Sequence, residues 1–162
     1  MGSEMCIRDR FLFFSDSMDA EVVSASVANR AHPDRPGLQD VGDTHLRTDR
    51  TTGYIRVDWF TPEGLPTWGD GRLTILGTEG YIELRKYIDI AGRPGTDHLF
   101  LVNKSGVQHI DCAGTELPFG RQFLDDVQNR TQTAMPQERC FNAMQLALTA
   151  QAMAERGTEW QQ

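Results

Sequence analysis

Two short runs of alternating apolar side chains, residues 73–76 (Leu-Thr-Ile-Leu) and 81–87 (Tyr-Ile-Glu-Leu-Arg-Lys-Tyr), are separated by Gly77-Thr78-Glu79-Gly80. Period-two alternation on both sides of a glycine-flanked connection predicts a β-hairpin, with the glycines supplying the positive φ that a tight turn needs. A hairpin at this point makes the sheet around it antiparallel and fixes what can precede and follow it. On its N-terminal side lies a Pro/Gly-rich loop that carries Trp68, Asp70 and Arg72, itself preceded by the strand pattern of residues 54–60.

Other segments extend the pattern. Residues 21–30 alternate and are rich in Val and Ser, with Val23, Ala25 and Val27 on one side and Val22, Ser24 and Ser26 on the other, as in a strand. Residues 31–43 hold Pro33, Pro36 and Gly37 and read as loop, 44–47 as a short strand, and 49–53 as a turn. In 54–60, Ile55, Val57 and Trp59 share one face and Tyr54, Arg56, Asp58 and Phe60 the other. Residues 98–103 and 107–111 form a second hairpin around Lys104-Ser105-Gly106. The spacing of Phe119, Phe123, Leu124 and Val127 predicts a helix opened by Pro118 and running to residue 130. Residues 137–156 make the clearest helix, with a stripe of Phe141, Met144, Leu148 and Ala152 beside a strip of Ala143, Ala147, Ala150 and Ala154, and with Gly157 as C-cap. The apolar run Phe11-Leu12-Phe13-Phe14 is too short to choose between helix and strand.

At 162 residues, one domain with its own core is expected. The net charge of −7 argues against nucleic acid or an acidic membrane surface as partner. No apolar run approaches the roughly 20 residues of a membrane span. Cys6, Cys112 and Cys140 are odd in number and form no Cys-x-x-Cys, which points to a reducing, cytoplasmic setting. The first ten residues, Met-Gly-Ser-Glu-Met-Cys-Ile-Arg-Asp-Arg, show no period. They match the translation of a transposon-type adaptor used to prepare sequencing libraries, so residues 1–10 are expected to be non-native and 11–162 to be the protein.

With these elements in order, the chain resembles the C-terminal domain of the Gfo/Idh/MocA oxidoreductases. The likeness covers roughly residues 11–156. It rests most on Ile75-x-Gly77-Thr78-Glu79-Gly80, and on Phe123-Leu124-x-x-Val127 and Ala143-x-x-Leu146-Ala147. The resemblance implies an α+β fold: an open, mostly antiparallel β-sheet with helices packed on one face and the other face free for oligomerisation. It implies a parent enzyme in which an N-terminal Rossmann domain binds NAD or NADP and hydride passes to or from a sugar or polyol. The chain has no Gly-x-Gly-x-x-Gly and no Glu-Lys-Pro, and none of His32, His45, His98 or His109 falls in the family's motif. The expectation is therefore a truncated substrate-binding and oligomerisation domain that binds no cofactor itself, has no catalytic residue, lacks its Rossmann domain and forms a homo-oligomer through the sheet face. A stand-alone, sheet-mediated interaction module without chemistry is the alternative.

Trp68, Asp70 and Arg72 are the candidate sugar-binding lip: an aromatic plane for the ring, with a carboxylate and a guanidinium for its hydroxyls. The competing reading is a structural loop whose Trp packs down and whose Asp and Arg pair. Lys86 and Tyr87, at the end of the next strand, line the same cleft or simply guard a sheet edge. Asp40, Asp43 and His45 match no standard zinc or calcium spacing, so no metal site is expected. His109 is poorly placed to activate Cys112.

Overall fold

A computed structural model describes residues 2–158, with side chains from residue 7 to 157. Met1 of the adaptor-like decapeptide and the Cys6 side chain lie outside the described residues. The chain divides into two compact units, one built from the segments up to Phe60 and from Pro118 onward, the other from Thr61 to Leu117.

The first unit holds helix α1 (Gly2–Phe14), strands β1 (Glu21–Ala28), β2 (Val41–Arg47) and β3 (Thr52–Asp58), and helices α2 (Phe119–Asn129) and α3 (Gln137–Thr158). The strands form an antiparallel sheet in the order β1-β2-β3. Residues without a visible period in sequence thus form most of α1, and Phe11-Leu12-Phe13-Phe14 becomes its last turn. Leu12 from α1, Val22, Leu46 and Ile55 from the sheet, and Ala143, Leu146 and Ala150 from α3 make the core.

The fold decides which side of two elements faces in, and on β1 it departs from the simple alternation. The β1–β2 register shifts between Val22 and Ser24. This irregularity accommodates Val23 as an extra residue, so Val22 turns inward and Val23 is left 45% exposed. On α3 the small strip is the one that packs: Ala143, Ala150 and Ala154 are buried with Leu146, while Phe141, Met144 and Leu148 are exposed. Alanine lets α3 lie close against β1 and α1. The amphipathic α2 forms as its spacing predicts, yet its Phe119, Phe123, Leu124 and Val127 are all more than half exposed.

Two carboxylates tie the loops of this unit. Burial works against ionisation of the Asp40 carboxyl, but the backbone N–H groups of Arg30 and Ala31 and the His32 ring, all at 2.8 Å, outweigh it and hold its pKa at about 2. Asp126 accepts hydrogen bonds from the Thr131 and Thr133 hydroxyls and the N–H groups of Thr133 and Ala134, which keep its carboxyl far below the usual range. Those bonds fix the turn that follows α2, where Arg130 takes a left-handed conformation.

The second unit is an antiparallel sheet in the order β4-β5-β6-β7, formed by β4 (Arg72–Gly77), β5 (Gly80–Arg85), β6 (His98–Asn103) and β7 (Gly106–Asp111). Both expected hairpins are present, and the fold class is α+β with open antiparallel sheets. The strands are divided between two sheets. The role of glycine in the first hairpin differs from the sequence reading, because neither Gly77 nor Gly80 has positive φ. Gly80 is needed for close approach: a Cβ there would sit 2.1 Å from the Val102 carbonyl oxygen of β6. The second hairpin does use a positive φ, of 113° at Gly106.

Register gives this sheet two unlike faces. One presents Leu73, Leu84, Leu99 and Ile110 in one row and Ile75, Ile82 and Leu101 in the next. None of these side chains is fully buried. The other face is polar at one end and carries the candidate site.

Candidate functional site

Across the polar end, Arg72, Arg85, His98 and Asp111 stand in one row, and Thr74, Glu83, Phe100 and His109 in the row beside it. Alternation on each strand puts these residues on one face. Arg72 and Arg85 are thus directly opposite each other, a repulsive placement unless compensated. Each is compensated from two residues upstream on its own segment. Asp70 accepts from Arg72 Nε at 2.8 Å and also from its Nη2. Glu83 accepts from Arg85 Nε at 2.6 Å. The bond from Arg72 is the main cause of the lowered Asp70 pKa, with the charge of Arg85 adding to it, and Arg72 is raised in turn.

The loop candidates and the strand-end candidates come together at this end of the hairpin. The Lys86 N–H donates to the Gly71 carbonyl at 2.9 Å, which ties the loop to the start of the β5 exit. Lys86 and Tyr87 lie just beyond β5, with Lys86 Nζ 5.0 Å from the centre of the Tyr87 ring. Trp68 is 88% exposed, so it does not pack down as the structural reading of this loop required. Its companions Asp70 and Arg72 do pair, as that reading proposed. Both halves are compatible with a lip: a presented indole, and an ion pair that orients a guanidinium.

A second cluster lies farther along the same face. His98 is buried, at 1% exposure, and its Nε2 is 3.1 Å from the Gly95 carbonyl oxygen. A carbonyl can only accept, so Nε2 carries the proton and Nδ1 is the acceptor in the neutral ring. His109 Nε2 lies 3.0 Å from that Nδ1 and is therefore the donor. The Phe100 ring centre is 5.0 Å from that of His109 and 5.3 Å from the Arg93 guanidinium carbon. Arg93 bonds the buried Asp89 at 2.8 Å, the main cause of the lowered Asp89 pKa. No sequence motif marks this cluster. The signal is positional: with Asn103 paired to Gly106, residues 98 and 109 become diagonal neighbours on one face.

The remaining polar candidates have local partners. Asp40 is held by its own loop, Asp43 accepts from the Ser26 hydroxyl at 2.7 Å, and His45 Nδ1 lies 3.1 Å from the Ser24 hydroxyl. Among the described residues no group of three His, Cys, Asp or Glu side chains is arranged to hold a metal ion. Cys112 and Cys140 are free and half-buried, and the His109 ring meets His98 rather than Cys112. Every strand pair is antiparallel. A Rossmann-type dinucleotide cradle is a parallel β-α-β unit with a glycine-rich first turn, and no such unit lies among the described residues. Among them, no helix is long and apolar enough to cross a membrane.

No protein-family model matches the chain, and no curated protein matches it. Solved structures do. A protein of Erwinia carotovora atroseptica that carries the provisional name oxidoreductase is similar at 47% identity and a TM-score of 0.87, over 91% of this chain and 44% of that one. A Thermotoga maritima protein with the same provisional name matches at 18% identity and a TM-score of 0.71, over 94% of this chain and 43% of its own, and supports the fold alone. The chain thus shares its fold with one part of proteins named as oxidoreductases, and spans under half of their length.

Proposed function

We propose that this chain is the substrate-binding and oligomerisation domain of an NAD(P)-dependent oxidoreductase of the Gfo/Idh/MocA type. Its dinucleotide would be held by a Rossmann domain outside these residues. The observation that carries this reading is the 47% identity to a chain named as an oxidoreductase, over 91% of this chain but 44% of that one. The rest of such an enzyme has room for a cofactor domain. Positioning the dinucleotide against the substrate is the protein's main contribution to hydride transfer, so this chain alone is catalytically silent.

The substrate on this reading is a sugar or polyol. The exposed indole of Trp68 stacks on the apolar face of a ring, and Asp70, Arg72, Lys86 and Tyr87 meet its hydroxyls. The reading also includes self-association through a sheet face. The outer face of the three-stranded sheet carries Tyr54, 57% exposed, among Ser24, Ser26, Asp43, His45 and Arg56. The Leu/Ile face of the four-stranded sheet is the more apolar and suits an interface better. A dehydrogenase assay over a panel of sugars and polyols tests the proposal. The 162-residue chain should give no NAD(P)-dependent turnover, and a polypeptide that joins it to its cofactor domain should give turnover. Turnover by the chain alone, or none by the longer polypeptide on any polyol, contradicts it.

A further inference from the structure

The geometry points to a ligand that carries an oxyanion, a sugar acid or a sugar phosphate rather than a neutral sugar, bound by the opposed guanidiniums of Arg72 and Arg85. This rests on the sugar-binding reading above and narrows it.

Two observations carry it. First, register brings two guanidiniums together across β4 and β5, each paired with one carboxylate on its own segment. Second, both carboxylates act on one side of their partners. Asp70 takes Nε and Nη2 of Arg72, and Glu83 takes Nε of Arg85. Arg85 Nη1 is shielded from solvent and has no hydrogen-bond partner among the described residues, its side chain being only 16% exposed. A buried cationic donor with no acceptor is costly and calls for an explanation. Arg72 is 57% exposed and would meet the ligand first. Arg85, held in a partly desolvated place, then supplies a charge-assisted bond stronger than the same bond in water. Trp68 at the neighbouring loop would take the ring. A carboxylate and a phosphate ester present the same chemistry to a guanidinium fork, and the experiment separates them.

Calorimetric titration of the full 162-residue chain with glucuronate, glucose 6-phosphate, glucose and inorganic phosphate is the test. At least one acidic sugar should bind tenfold or more tighter than glucose, and the two acidic arms show which oxyanion is preferred. Arg85→Lys and Arg72→Lys keep the charge but lose the planar fork. Each should reduce acidic-sugar affinity about tenfold or more, a larger loss than it causes for glucose. The wild-type comparison stands even if a variant folds poorly, and circular dichroism checks that each variant is folded. If glucose binds as well as the acidic sugars, the oxyanion inference is overturned while the sugar reading survives. If no sugar binds, both fall. Inorganic phosphate binding as tightly as glucose 6-phosphate, or an acidic preference that survives in both folded lysine variants, also overturns the inference.

Discussion

Asp40 is fully buried yet ionised, because three donors converge on its oxygens. Its pKa falls from about 3.9 in an unfolded chain to about 2 in the fold. A depressed carboxyl contributes stability that is complete above the unfolded value and is lost as pH falls through the folded one. Asp40→Asn should therefore unfold at lower urea concentration than the parent near neutral pH. That gap should narrow as pH drops from about 4 towards about 2. A gap that stays constant down to about pH 2 would mean that the charge of Asp40 plays no part. The sequence did not reveal this role. Asp40, Asp43 and His45 sit close in sequence and invite a metal reading, whereas Asp40 turns towards the backbone of Arg30 and Ala31, and only the folded loop makes that visible. Gly80 is a similar case. Its presence in a hairpin was legible, but its reason, the Val102 carbonyl on the next strand, depends on a pairing that the local sequence does not contain.

At the scale of elements, periodicity predicted what would be strand and what would be helix, and was weaker on which side faces in. The two hairpins and the two C-terminal helices follow from alternation, glycine and helical spacing. On α3 the sequence shows two apolar strips, one large and one small enough for close packing, and the fold buries the alanine strip. Helix packing rewards close approach as much as bulk, and a single sequence does not say which the neighbouring sheet demands. The prediction follows the structure. Leu46→Ala, a truncation at a fully buried side chain of β2, should cost about 2–5 kcal/mol in chemical unfolding. Leu148→Gln, on the exposed stripe of α3, should stay within about 0.5 kcal/mol of the parent. The opposite order would place the core on the wrong side of α3. The histidine pair escaped the sequence for a related reason: His98 and His109 meet only once the hairpin register is known, whereas Trp68, Asp70 and Arg72 are close enough in sequence to be grouped without it.

For the whole molecule, the four-stranded sheet has a polar end and an aliphatic reverse, and the proposed function assigns the first to a ligand and the second to a partner copy. If the aliphatic face is the interface, sedimentation should show the parent self-associated and Leu101→Glu shifted to monomer. Tyr54→Ser should leave assembly unchanged, because Tyr54 lies on the other sheet. A monomeric parent, or assembly lost only with Tyr54→Ser, would reject the assignment. The general architecture was readable because it is written in local patterns. The assembly and the ligand were less so, since they depend on which faces the register leaves bare.

The central claim is that these residues shape and assemble a site without holding the cofactor. Calorimetric titration of the 162-residue chain with NADH and NADPH tests it most directly. The account predicts no heat of binding for either from the chain alone, and saturable binding by a polypeptide that joins the chain to its Rossmann domain. Binding of NADH or NADPH to the isolated chain with micromolar affinity would contradict it.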